Sequence, residues 1–119
     1  MTAVNLDAAL VTIHEHWQPR RVTSINDYDM KIAKVQGEFV WHAHPETDEL
    51  FLVLSGELTL QLRDGDVVLG PNDIYVVPKG IEHRPVAPAE TVILMVELRG
   101  TVNTGDAGGD RTFEPVDLV

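Results

Sequence analysis

Four side chains in two separated stretches are of the types that together hold a cation. Residues 41–56 read Trp-His-Ala-His-Pro-Glu-Thr-Asp-Glu-Leu-Phe-Leu-Val-Leu-Ser-Gly, and Pro-Lys-Gly-Ile-Glu-His follows at 78–83. His42 and His44 stand two apart, a spacing that points both imidazoles to one face of a β-strand. Glu49 opens the apolar run behind them, and His83 arrives from a Pro/Gly turn. Three neutral imidazoles and one carboxylate leave a divalent ion with net positive charge and open positions. The chemistry expected is therefore that of a Lewis acid, not of a closed structural site. The donor set admits one divalent metal ion: Fe, Mn, Ni, Co, Zn or Cu. Glu46 and Asp48 are rival carboxylates in the same loop; Glu49 is preferred because it begins the apolar run.

Other chemistries lack their parts. There is no cysteine, which removes disulfides, iron–sulfur clusters and thiol nucleophiles together. No serine lies in a Gly-x-Ser-x-Gly elbow, and no glycine-rich phosphate loop precedes a helix. Catalysis would run through the metal with an acid or base beside it. Glu97 is a candidate for that part because a carboxylate inside an apolar stretch needs a reason. Tyr75, a phenol on a short apolar stretch, and Glu46 are the others, and Lys79 and Arg84 flank His83 where they could attract an anion.

The elements that must position these residues are short. Asn5 is a helix N-cap in sequence terms, and Leu6, Leu10, Ile13 and Trp17 recur at helical spacing up to Pro19, which predicts a helix over about 5–18. Beyond Pro19 the pattern changes to strands broken by Gly, Pro, Asn and Asp: 21–25, 30–35, 38–44, 50–54, 57–63, 66–69, 74–77, 82–87 and 91–98. The continuous apolar run at 50–54 reads as a strand buried on both faces, and Asp64-Gly65 is the strongest hairpin signal. Strands at this spacing mean an all-β sandwich or barrel over 20–99. The stretch 100–119, rich in Gly, Asp and Thr, reads as a tail draped over a neighbour or partly disordered. Trp41 points away from His42 on a regular strand and is expected against the N-terminal helix or a partner.

The 119 residues fit one domain, and 44% hydrophobic content suffices for a core. A net charge of −10 argues against nucleic acid and anionic membrane surfaces as partners, leaving a small-molecule ligand or substrate. No apolar run approaches membrane-spanning length, and the N-terminus lacks a basic signal-peptide region, so the cytoplasm is the expected address.

With these residues in view, the chain resembles the cupin superfamily. That family's first block is a glycine, His-x-His, a glutamate and a second glycine; here Gly37, His42, His44, Glu49 and Gly56 fill it, one residue short after the first glycine. In the second block, Asn72, Pro78, Gly80 and His83 stand in register, with Asn72 at a glycine position and Ala87 where the family has Asn. The resemblance implies a double-stranded β-helix, a small jelly-roll barrel, with His42, His44, Glu49 and His83 as metal ligands at its mouth. It also implies a homodimer, since small cupins often pair through their sheets. Single-domain cupins grouped with mannose-6-phosphate isomerases are the nearest in character, which suggests a metal-dependent isomerase or lyase acting on a small polar, sugar-like substrate. A cupin dioxygenase with a redox metal and a non-catalytic binding or sensing module are the alternatives.

Overall fold

The computed structural model describes residues 3–113 and 116–117. It contains one short helix, α1 (Leu6–Leu10), and eight strands: β1 (Arg20–Ile25), β2 (Tyr28–Glu38), β3 (Glu49–Ser55), β4 (Leu58–Leu62), β5 (Gly65–Leu69), β6 (Ile74–Val77), β7 (His83–Leu98) and β8 (Val116–Asp117). The fold is the double-stranded β-helix of a small barrel. Its spine is β7, a 16-residue strand that replaces the two predicted at 82–87 and 91–98. Its first part pairs with β4, its second with β3, and β2 runs antiparallel along its other edge. The apparent break around Pro88 is where β7 bends from one sheet into the other; β2 bends with it, shifting register between Val35 and Gly37.

Alternation along these strands separates two apolar clusters. Inward residues Ala33, Val35, Phe51, Val53, Ile93 and Met95 fill the barrel together with Leu58, Leu60 and Leu69 from the β4–β5 hairpin. Outward residues Ile32 and Leu94 form a second cluster beneath α1 with Ala9, Ile13 and Val22. The run at 50–54 is accordingly not buried equally on both faces. Phe51 and Val53 are fully buried inside, whereas Leu50, Leu52 and Leu54 are half-buried outside.

The helix ends at Leu10 instead of continuing to residue 17. Asn5 caps it, its side chain accepting the Ala8 N–H at 2.9 Å. The amides of Thr12 and Ile13 then donate to carbonyls three residues back, Ala9 and Leu10, which tightens and ends the helix. His16 bridges Lys34, and Trp17 adopts a φ of +63° as its amide donates to the Lys34 carbonyl at 2.9 Å. Pairing with the sheet outweighs the helical spacing of a segment too short to be stable alone.

Gly56 shows how closely the turns are fitted. At φ +89°, a Cβ there would stand 2.4 Å from Thr91 Oγ1 and 2.9 Å from Thr91 Cα. Thr91 in turn bonds both backbone groups of Glu57 at 3.1 Å. Gly56→Ala should destabilise the protein by about 2–4 kcal/mol in urea unfolding, through backbone strain and a collision with main chain.

Candidate metal centre

His42, His44, Glu49 and His83 converge at one end of the barrel, each offering a ligand atom within 4.8 Å of the others. All four are buried. Glu49 begins β3 and His83 begins β7, so the sheet itself places them. The two remaining histidines do not lie on the predicted strand at 38–44: β2 ends at Glu38, and His42 keeps only an isolated bridge to His83. In that bridge the two histidines exchange both backbone hydrogen bonds, at 3.0 and 2.9 Å. The imidazole centroids stand 4.3 Å apart for His42–His83 and 4.9 Å for His42–His44.

The protonation pattern suits a cation. Nδ1 of His42 lies 2.9 Å from the Val40 carbonyl, and Nδ1 of His83 lies 2.9 Å from that of Ile81. A carbonyl only accepts, so both Nδ1 atoms carry hydrogen and both Nε2 lone pairs face the cluster in the neutral rings. Glu49 Oε1 lies 3.2 Å from His83 Nε2 and 3.3 Å from His44 Nε2, and His44 Nε2 has no hydrogen-bond partner. Acceptors this close need either a shared proton or a cation between them. The donor set, three imidazoles and a carboxylate, fits a divalent transition metal.

Burial, and next the charge of His83, pushes the His42 imidazole down to about 4. For His83, burial works downward but the hydrogen bond and charge of Glu49 outweigh it, and the net shift is upward. Burial would raise Glu49, yet the close approach of the His44 and His83 imidazoles holds it well below the usual carboxylate range. The unfolded chain protonates His42 near 6.5 and the folded chain only near 4, so its contribution is full above 6.5 and is lost as pH falls towards 4. The raised His83 works the other way, its contribution growing as pH falls through its raised pKa and complete below 6.5, so it offsets part of that loss. Chelator-treated protein should lose roughly 1–2 kcal/mol in urea unfolding between pH 7 and about 4.5. A His42→Asn variant should lose distinctly less over the same interval.

Behind the cluster lies a cavity of about 30 Å³. Its wall includes Ala33, Val35, Phe51, Ile93 and Met95, with Trp17 and Phe39 stacked at 4.8 Å on one side. Its polar lining is His42, Glu49, Glu97 and Asn103. Glu97 points inward on β7, one register step beyond the Leu50–Val96 pair, which sets it against Glu49. Lys31 Nζ holds Glu97 Oε1 at 3.0 Å and donates to the Thr101 carbonyl at 2.8 Å, while Glu97 Oε2 has no donor. Burial and the neighbouring Glu49 charge push the Glu97 carboxyl well above its ordinary range.

The other sequence candidates lie elsewhere. Glu46 is exposed on the loop, outside the cavity. Asp48 is exposed and accepts the Lys79 amide at 2.9 Å, which secures the turn before His83. Tyr75 packs half-buried against the barrel core and does not line the cavity. Arg84 is committed to Glu38 and Gln61 at 3.0 and 2.7 Å. Trp41 packs under the Arg63 guanidinium, 3.8 Å from its ring centroid, instead of against α1.

Lys31, Trp17 and the segment after Arg99 were not singled out as parts of the site. An inward Lys on β2 and an inward Glu on β7 carried a signal, since opposite charges on apolar strands call for each other. The tail carried none. Its described residues fold back over the chain's own barrel, where Asp106 bonds Ala43 and β8 pairs with β1.

Comparisons with known proteins agree with this geometry. Residues 28–97 match the family model described as the cupin domain. The chain is 39% identical over 94 residues to YdbB of Bacillus subtilis, covering 78% of this chain and 83% of that protein. It is 42% identical, with a TM-score of 0.80, to the crystal structure of a cupin-2 domain containing protein from Shewanella frigidimarina, covering 82% and 95% of the two chains. It is 26% identical, with a TM-score of 0.75, to NMB1881 of Neisseria meningitidis, covering 82% and 99%.

Proposed function

The chain belongs to the cupin family, and from that premise we propose a metal-dependent enzyme whose single divalent ion is held by His42, His44, Glu49 and His83. The observation that carries this reading is the approach of both His44 Nε2 and His83 Nε2 to Glu49 Oε1, at 3.3 and 3.2 Å. A bound ion would supply Lewis acidity towards an oxygen of a small substrate. Glu97, its carboxyl pushed above the ordinary range, would offer a proton on the cavity wall, with Lys31 fixing its Oε1. The apolar wall excludes water from that proton, while the Trp17–Phe39 stack borders the space a substrate would occupy. Moving a proton next to a polarised carbonyl is isomerase or lyase chemistry. The cavity has room only for the reacting end of a small polar, sugar-like substrate, the remainder lying outside it.

The apolar wall also favours a second reading. Dioxygen is small and apolar and suits a cavity of about 30 Å³, so a redox-active metal here would give a dioxygenase. One experiment separates the readings: metal analysis of untagged protein prepared anaerobically, followed by incubation with candidate substrates in D2O and under oxygen. Deuterium entry that Glu97→Gln abolishes supports the first reading. Stoichiometric iron with substrate-linked oxygen uptake supports the second. A fully occupied ion with no exchangeable water points to a binding or sensing module, and absence of metal sinks both enzymatic readings.

On the same reading the enzyme works in the cytoplasm; no helix among the described residues is long and apolar enough to cross a membrane. The outward residues Ile74 and Val76 on β6, 59% and 43% exposed, continue the outer face of Leu50 and Leu52 and suit pairing of two copies. Light scattering at twice the 13.2 kDa chain mass would support the homodimer.

A further inference from the structure

The residue between the first two histidines is held from both sides by one distant residue. Asp106 Oδ1 accepts the Ala43 N–H at 2.8 Å, and the Ala43 carbonyl accepts the Asp106 N–H at 3.0 Å. Gly105, at φ +52°, lies so close that a Cβ would stand 2.2 Å from the Ala43 oxygen and 3.0 Å from His44 Nδ1. The loop carrying these residues is itself tied down. Thr104, fully buried, shares a hydroxyl hydrogen bond with Thr112 at 2.7 Å, and the Asn103 side chain binds the Phe113 amide and the Arg111 carbonyl.

This arrangement answers a question of backbone accounting. On a regular strand, the polar groups of 42–44 would be satisfied by a ladder. Here His42 exchanges bonds with His83, and the His44 carbonyl accepts the Gly80 amide at 2.9 Å. Both groups of Ala43, a 5% exposed residue, are left for Asp106.

We propose that Asp106 and Gly105 form a clasp that positions His42 and His44 for the ion, so that residues outside the ligand set fix metal affinity and coordination geometry. The proposal rests on the metal-binding reading. Asp106 acts as a positioning residue through the Ala43 backbone, in the way that partners behind metal ligands orient them. What it supplies is a hydrogen-bond acceptor, not its charge.

The test uses Co²⁺ with the full chain, measuring affinity by chelator competition and geometry from the visible d–d spectrum. Amide exchange at Ala43 is followed in metal-free protein. Asp106→Ala should weaken Co²⁺ affinity by about 10-fold or more, alter the spectrum and speed Ala43 exchange. Asp106→Asn, which keeps the acceptor, should stay within about threefold on affinity and preserve the spectrum. Gly105→Ala should lower affinity in a folded protein and serves if Asp106→Ala fails to fold. Unchanged affinity and spectrum in Asp106→Ala, or an Asn variant as impaired as Ala, overturns the clasp alone. A wild-type chain that takes up no Co²⁺ overturns the metal reading and this proposal's affinity claim with it, even where Ala43 exchange responds.

Discussion

Alanine at His44 is expected to take the protein from about one bound divalent ion per chain to background, with affinity falling by at least about 100-fold. The loss should be large because nothing can stand in for this imidazole. Its Nε2 faces Glu49 Oε1 at 3.3 Å in a buried cluster, and the other carboxylates of its loop, Glu46 and Asp48, are exposed. Removal leaves three donors and a gap between the barrel interior and residues 98–105. Elemental analysis of untagged wild type and variant, purified side by side, reads the effect directly. Equal metal content in the two would refute the assignment of the site.

Lys31→Met should cost about 3 kcal/mol in denaturant unfolding of the metal-free protein. Lys31 Nζ is the cation that Glu97 faces in the barrel, and it lies 3.0 Å from Glu97 Oε1 with almost no exposure. Glu49, held well below its ordinary range, keeps a negative charge beside Glu97, and Lys31 balances it. A methionine fills the space but leaves that charge unpaired. Adding Glu97→Gln should recover little of the loss, because the unpaired charge sits on Glu49, which the amide does not remove. A single variant within about 0.5 kcal/mol of wild type would show that the charge is balanced elsewhere.

Most of the site was legible because its parts are written locally. A histidine pair, a glutamate heading an apolar run and a histidine after a Pro/Gly turn each announce themselves within a few residues. Asn72, which stands at a glycine position of the second block, adopts a left-handed backbone at φ +71°. Glu97 was legible as an anomaly, a carboxylate in an apolar strand, although its partner was not named. The misreadings share one cause, competition from distant pairing. The 3.6-residue spacing of Leu10, Ile13 and Trp17 is real, but the amide of Trp17 is better satisfied by Lys34 on β2. Pro88 looks like the end of a strand, yet β7 carries on through the bend because β2 pairs with it on both sides. Asp106 lies in a stretch whose composition reads as disorder, and its bond to Ala43 spans 63 positions. No local pattern announces that contact.

The spine strand has a kinetic corollary. β7 is the common partner of β2, β3 and β4, all of which precede it in the chain. On a ribosome those strands wait with unsatisfied edges until residues 83–98 emerge, and the barrel closes in one late, long-range step. Such a topology places refolding in the millisecond-to-second range rather than in microseconds. It also makes prematurely terminated chains the species most prone to aggregate.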